Sequence, residues 1–372
     1  MADKLDFNSD LIRKGWVKEG LLQEASKSFW APMTGTTQDS IVHMAKKEDA
    51  KEGHTVVFDH DGNIVAKPIF GDDKAFGKGE TKKKFSDRLT VERYRHVVDN
   101  GDHFDAKEID SLDLNNHSDS RRKLSDKHIR FKDQCLFDVA QGLINGETPS
   151  HIFDLGSTFE YNTLNDITTD IKFSRNYDTG AVRRPLEPYR MKDGEACWLF
   201  MMDSLMANRL KNSPNYQSVI QQADVRGEQN RLIKGIFGKI GQLYLVEAPI
   251  FFGDTPADTP GNFQLSDSSV EISGLRQRDA NGLWTGQEGF DPTGDLFSRG
   301  LLLGTNALHL AYGMMPDYKH QYSEDFKIKS ESALVTYMHA QKVKLKAERD
   351  DYKEAKVAGH DYGIVAVDLQ VQ

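Results

Sequence analysis

The residue patterns in this sequence that could perform chemistry each lack an essential member. A glycine-rich segment, residues 71–79, superficially resembles a phosphate-binding loop. Gly77–Lys78 is followed by Gly79, whereas such a loop needs Ser or Thr at that position to bind Mg²⁺. No strand pattern directly precedes it, and Asp258–Gly261 imitates a GTPase element without an upstream phosphate cradle. We therefore predict turns and loops here, not nucleotide-binding sites.

Motifs for metal binding and for nucleophilic catalysis are incomplete as well. Asp59–Asn63 resembles the start of a calcium loop, but no Glu occupies the closing position and hairpin residues flank the segment. The 12 histidines include no HExxH pair, and no GxSxG elbow is present. Cys135 and Cys197 lie 62 residues apart without a CxxC partner, so we expect two buried thiols in a reducing compartment. We predict no catalytic, metal-binding or cofactor-binding residue, no cofactor and no enzymatic activity.

Two clusters of basic residues remain as candidate binding sites. They are Lys82, Lys83 and Lys84 near the end of a lysine-rich segment, and Arg121, Arg122 and Lys123 at the start of a predicted helix. Each cluster fits a solvated face, a contact with an acidic neighbouring subunit, or nucleic-acid binding. Nucleic acid is the third choice, because no aromatic residues are interleaved with the lysines and arginines. We take the six residues as candidate inter-subunit contacts.

The composition limits the classes of protein to which the chain can belong. The 372 residues include 48 Lys+Arg and 57 Asp+Glu, which gives a net charge of −9. This acidic balance argues against a free nucleic-acid-binding protein, and 38% hydrophobic residues exclude wholesale disorder. The first ten residues have no apolar region typical of a signal peptide, and the apolar window 296–315 contains charged and polar residues. We expect a chain that first folds in a cytosol.

A hairpin and a long helix are the predicted elements that position the basic clusters. Thr55–Phe58 alternates as a strand, and Asp61–Gly62 is a hairpin-turn signal before Ile64–Ala66. Residues 71–84 contain almost no core material and are predicted to form a long exposed loop, whose far limb returns as a strand over Arg88–Val98. The low core content of this region predicts an arm that lies over an adjacent subunit.

The strongest helical pattern extends from a cap at Ser118 or Asp119 to Ile144. Its apolar stripe consists of Leu124, His128, Phe131, Cys135, Val139 and Leu143. At about 1.5 Å per residue this helix would be about 40 Å long, a length typical of an element that spans a subunit.

The second half of the sequence alternates between buried strands and helices. We predict strands within 196–202, 241–252, 332–344 and 361–368, and helices over 203–211, 216–223 and 301–312. Residues 253–300 are predicted to form long loops with short strands. The predicted fold class is α+β.

Five motifs occur in order from about residue 50 to the C-terminus. They are Gly53–Phe58, Trp198–Met202, Ile233–Gly238 leading into Leu243–Glu247, Arg299–Leu308 and Asp361–Asp368. Together with the order of arm, loop, long helix and α/β body, they resemble the major capsid proteins of tailed double-stranded DNA phages. The resemblance is to the podovirus-type phage capsid-like family, which shares its fold with encapsulins. Residues 253–294 depart from the family pattern through long loops.

The resemblance implies a division of the chain into structural regions. These are an N-terminal arm (1–45), an extended hairpin loop (46–105), a peripheral domain with a spine helix at about 118–144 (106–195), an axial domain (196–330) and a return to the peripheral domain (331–372). A structural function follows: a major capsid subunit that self-assembles into hexamers and pentamers of an icosahedral head around double-stranded DNA.

The same resemblance implies the partners and the location of the protein. The partners are further copies of the chain, a separately encoded scaffolding protein, a portal, decoration proteins and packaged DNA bound without sequence-specific contacts, with no membrane. The expected location is the virion, after assembly in the host bacterial cytoplasm. Two alternatives stay open: an encapsulin-like cage around cargo, and a cytosolic enzyme with an unrecognised site.

Overall fold

In the part of the chain that the computed structural model describes, three β-sheets contain more residues than the helices do. The described residues are 28–46, 53–61, 64, 66–71, 73–82, 84–102, 116–142, 149–172, 186–190, 194–216, 236–248, 294–322, 329–344, 346–347 and 360–371. The strands are β1 (Thr34–Gly35), β2 (Val42–Lys46), β3 (Thr55–Asp61), β4 (Lys84–Thr90), β5 (Glu92–Asp102), β6 (Ile152–Asp154), β7 (Tyr189–Arg190), β8 (Ala196–Met202), β9 (Ile236–Ile240), β10 (Leu243–Glu247), β11 (Phe297–Leu303), β12 (Leu308–Tyr322), β13 (Lys329–Lys342), β14 (Lys346–Ala347) and β15 (Ile364–Gln370). The helices are α1 (Asn116–Gln141), α2 (Tyr161–Lys172) and α3 (Ser204–Lys211), with a 3₁₀ turn at Ala31–Met33.

The first sheet is built around the long antiparallel pair β12 and β13. Its strand order is β1-β2-β12-β13-β5, and β2 pairs with β12 in parallel. The register of β12 against β13 shifts between Met314 and Asp317. Pro316 lies in that interval and has no N–H to donate to the ladder, which accounts for the irregularity.

The second sheet is covered on both faces. Its order is β6-β15-β11-β8-β10-β9, with β7 also paired to β8. Alternate residues of β8 belong to two different cores: Leu199 and Met201 lie in the core that includes α1, while Trp198 and Phe200 lie in the core that includes α2 and α3. Burial on both faces explains why β8 is a continuous apolar run, as predicted from the sequence.

The helix α1 confirms the long helix predicted from the sequence, and at 26 residues it is about 39 Å long. Its buried stripe includes Leu124, Phe131 and Cys135. The Phe131 ring lies 4.7 Å from the ring of Tyr94 on β5, so the helix packs on the first sheet. The predicted helix at 203–211 is confirmed as α3, where the Asp203 side chain caps the amide of Met206 at 2.7 Å.

The helix predicted over residues 301–312 is wrong. That segment forms the end of β11, a turn and the start of β12. The turn is held by three other parts of the chain. The amide of Gly304 donates to Gly363 O, that of Thr305 to Glu187 O and that of Asn306 to Ser40 O. Every residue from 297 to 313 is buried. A segment without an exposed face shows no hydrophobic periodicity, so its sequence does not distinguish a buried strand from a buried helix.

The hairpin region differs from the prediction in two details. Ile64 and Ala66 lie outside any strand, and the partner of β3 is β4. The predicted strand Arg88–Val98 is divided at Val91 into β4 and β5, which belong to different sheets. The predicted helix 216–223, apart from Tyr216, and the predicted loops over 253–293 lie outside the described residues. No helix in the described ranges is long and apolar enough to cross a membrane.

Candidate assembly surface

The hairpin arm, defined here as residues 55–90, has a base of two paired strands and a long connecting segment. Strands β3 and β4 pair from Thr55↔Thr90 to Asp61↔Lys84. Burial alternates along both strands: Val56 and Phe58 are buried, and their neighbours in sequence are exposed. The buried face packs against Ala311 of β12. The base of the arm is therefore part of the subunit's own core.

Polar groups lock the base of the arm to the first sheet. The carboxylate of Asp87 on β4 is buried and lies 3.4 Å from Nδ1 of His309 on β12. The His309 ring stacks on Phe58 with centroids 3.9 Å apart, and its Nε2 lies 3.2 Å from the Asn306 side-chain oxygen. Burial, together with the nearby His309, lowers the pKa of His43 on the adjacent β2. This cluster fixes the direction in which the arm leaves the subunit.

The connecting segment beyond this base, here called the arm tip, comprises the described residues between 64 and 82. All of them are exposed except Glu80, which is half-buried. Two polar contacts lie within the tip: the amide of Ala66 donates to the Glu80 carboxylate, and Lys78 Nζ lies 3.6 Å from Asp73 Oδ2. The long exposed loop predicted over residues 71–84 is confirmed for residues 71 and 73–82, whereas Lys84 already belongs to β4.

The predicted contact residues occupy two separate elements. Lys82 is exposed in the arm tip, Lys84 is exposed at the first position of β4, and Lys83 lies outside the described residues. Arg122 and Lys123 are exposed near the start of α1, and Arg121 is half-buried there. Their role in contacts between subunits stays a prediction.

The segment before β1 is anchored to α1 by contacts that the sequence did not reveal. The carboxylate of Asp133 accepts hydrogen bonds from the Ser28 hydroxyl and from the amide of Phe29, both at 2.6 Å. Trp30 is fully buried, with its ring 5.0 Å from that of Phe137. The Phe29–Trp30 pair within a polar stretch was the signal available in the sequence.

Two buried ion pairs also escaped sequence reasoning. Arg299 on β11 donates to both carboxylate oxygens of Asp368 on β15, at 2.6 and 2.9 Å, and to the carbonyl of Gln141 at the end of α1. Lys342 lies 3.3 Å from Asp361, which also accepts a hydrogen bond from the amide of Ser150. A charged residue inside an apolar run, as in Phe297–Leu303, is the signal that could have indicated the first pair.

The described residues contain no group of three or more His, Cys, Asp or Glu side chains that could hold a metal ion. Both cysteines are buried as expected, and burial raises the pKa of the Cys135 thiol. The Cys135 thiol is therefore poorly suited to act as a nucleophile or a metal ligand.

Comparisons with known proteins agree on one fold. Residues 8–170 match the family model described as phage capsid protein. The chain is similar to the capsid structure of Helicobacter pylori bacteriophage KHP30, with 13% identity, 92% of this chain and 91% of that chain covered and a TM-score of 0.69.

Two further capsid structures give comparable matches. Ralstonia phage GP4 matches with 17% identity over 93% and 92% of the two chains at a TM-score of 0.65, and Cyanophage Pam1 with 13% identity over 93% and 92% at 0.60. The search of curated proteins found no match. The chain thus has the fold of the phage capsid proteins over almost its whole length, and its residues 8–170 match their family model.

Proposed function

We infer that this chain is a structural protein, the major capsid subunit that forms the shell of a phage head. The observation that carries this inference is the fold match, which covers more than nine-tenths of both chains in three phage capsid structures. A body with two packed cores and an arm that leaves it from a fixed base suits a subunit that must meet several neighbours at once.

The finer parts of the proposal concern the architecture of the shell. The subunits form hexamers and pentamers of an icosahedral head around double-stranded DNA, assembled in the host cytoplasm with a separate scaffolding protein, a portal and decoration proteins. The chain is divided into an N-terminal arm (1–45), an extended loop (46–105), a peripheral domain (106–195), an axial domain (196–330) and a return to the peripheral domain (331–372). The net charge of −9 supports DNA that is enclosed without sequence-specific contacts, because an acidic lining repels phosphates.

Particle formation tests this function directly. The full chain, expressed alone and with the scaffolding protein from the same genome, is fractionated by size and imaged by electron microscopy. Closed shells built of capsomers are expected. A small oligomer under both conditions would contradict the inference, and closed shells filled with a host protein would favour the encapsulin-like alternative.

The hairpin arm is proposed to lie over an adjacent subunit. Hydrogen exchange on free subunits and on shells provides the test. Backbone amides in residues 66–71 and 73–82 are expected to gain protection on assembly, because these residues are exposed in the subunit. Amides that pair β3 with β4 are expected to exchange slowly in both states. Equal exchange of the tip in both states would contradict the arm contact.

A further inference from the structure

Exposed apolar side chains are concentrated in the hairpin arm. Among the described residues, six large hydrophobic side chains are exposed, and five belong to the arm: Val57, Ile64, Ile69, Phe70 and Phe76. Phe76 is 89% exposed and Phe70 is 78% exposed. Exposed apolar groups that cluster on one projecting segment indicate an interaction site, whereas isolated ones scattered over a surface need no explanation.

The described residues of the arm's own subunit leave the rings of Phe70 and Phe76 uncovered. At the base of the arm, alternate residues of β3 and β4 are buried in the core. The described residues of the arm tip are exposed apart from the half-buried Glu80. A two-stranded ribbon has no second layer of its own to cover a side chain at its tip. The side chains of Phe70 and Phe76 are therefore open to contact with another molecule.

Charge favours another copy of this chain as that molecule. Residues 64–84 contain six lysines and three acidic residues, which gives this segment a net charge of +3. Because the whole chain has a net charge of −9, the rest of the chain has a net charge of −12. A basic, aromatic tip is complementary to the acidic body of a second subunit. In a closed shell of identical subunits, one such contact per chain is repeated at every neighbouring pair.

We propose that Phe70 and Phe76 are the anchor residues by which the arm tip docks on a second copy of this chain. The proposal rests on the proposed shell function and identifies which side chains supply the contact. Aromatic side chains buried at the centre of an interface dominate its affinity, while charges at the rim contribute mainly to the rate and to salt dependence. The lysines of the tip therefore guide docking, and the two rings hold it.

The test compares two double variants of the full chain. Phe70→Ser/Phe76→Ser is expected to raise the subunit concentration needed for assembly by about tenfold or more, equally at low and high salt. Phe70→Leu/Phe76→Leu keeps apolar groups at both sites and is expected to assemble close to wild type. Both variants should keep the wild-type melting temperature of the free subunit, because the two rings are exposed there. Wild-type assembly of the serine variant would overturn the proposal.

A crosslinking experiment identifies the occupant. Phe76→p-benzoylphenylalanine is introduced into the full chain, and assembled shells are irradiated. The expected product is a covalent dimer whose crosslinked peptides come from two copies of this chain. Crosslinks to DNA, to the scaffolding protein or exclusively within one chain would overturn the proposal. If the wild-type chain forms no shells at all, the proposed function itself fails, which separates the two conclusions.

Discussion

Arg299 and Asp368 show what single residues contribute to the core of this subunit. Both side chains are 0% exposed, and the guanidinium also reaches the end of α1, so the pair joins β11, β15 and the long helix. Removing one member of such a pair leaves the other charge buried without compensation. The pair therefore specifies how the helix docks on the second sheet.

Asp368→Asn is expected to lower the free energy of unfolding by about 3–5 kcal/mol, since it leaves the Arg299 charge buried. Glu247→Gln is the matched control, because Glu247 pairs with Lys211 in a half-exposed position, where an ion pair contributes about 1 kcal/mol or less. Urea denaturation of the free subunit measures both. Equal losses in the two variants would contradict a special role of the buried pair.

Two histidines, His96 on β5 and His128 on α1, make the stability of the subunit depend on pH. Burial, and to a smaller extent Lys127, lowers the pKa of His96 from 6.5 to about 4. Burial, followed by His96 and Lys132, lowers that of His128 to about 3. The unfolded chain, in which both pKa values return to about 6.5, therefore binds more protons than the folded chain below that pH. The contribution of the two neutral histidines to the free energy of unfolding is fully present above pH 6.5. It is lost as the pH falls toward 4 for His96 and toward 3 for His128.

His128→Leu is expected to reduce the dependence of unfolding free energy on pH between 6 and 4 by up to about 1.4 kcal/mol per pH unit, which corresponds to one proton. Neither ring nitrogen of His128 has a hydrogen-bond partner among the described residues, so the substitution leaves no new unsatisfied group. His54→Leu, at an exposed site, serves as the control. An unchanged pH dependence in the His128 variant would disprove this assignment.

At the scale of elements, the hairpin arm separates a part that stabilises the subunit from a part that does not. Its base shares the core with β12, and residues 64–84 of the arm contain six lysines. Like charges that are exposed and adjacent repel weakly in water, at about 1 kcal/mol for a close pair. An acidic surface on a neighbouring subunit would relieve that repulsion, so we expect the lysines to affect assembly far more than folding.

Replacing Lys82, Lys83 and Lys84 together by Glu should leave the melting temperature of the free subunit nearly unchanged. Lys82 and Lys84 are exposed, and exposed charges contribute little to folding. Assembly should be impaired, and more strongly at low salt, where screening is weak. Light scattering across a salt series measures this, with the triple Lys→Arg variant as the control. Wild-type yield of the Glu variant at low ionic strength would mean that the cluster is simply a solvated face.

The elements also differ in how well the sequence predicted them. The long helix and β8 were recognised because one has a single buried stripe and the other is apolar throughout. The turn at Gly304–Ala307 was missed, because it is fixed by backbone hydrogen bonds to Ser40, Glu187 and Gly363. Contacts between distant parts of the chain leave no periodic pattern in either segment.

For the whole molecule, we expect assembly without a metal ion and without catalytic turnover. Ion pairs and apolar contacts join the described elements, and the described residues provide no cluster of potential metal ligands. Shells treated with EDTA should keep their sedimentation coefficient and yield. Dissociation by EDTA that is reversed by added Ca²⁺ or Mg²⁺ would contradict this expectation.

The sequence by itself determined the α+β class, the long helix, the exposed arm and, through five ordered motifs, the resemblance to phage capsid proteins. These are properties of local periodicity and composition, which each segment carries within its own residues. The tertiary structure decided that residues 301–312 form two strand segments joined by a turn, that Asp133 anchors Ser28 and Phe29, and that Arg299 meets Asp368. Such partners are 69 to 105 positions apart, so their pairing depends on the packing of sheets and helix and not on any local pattern.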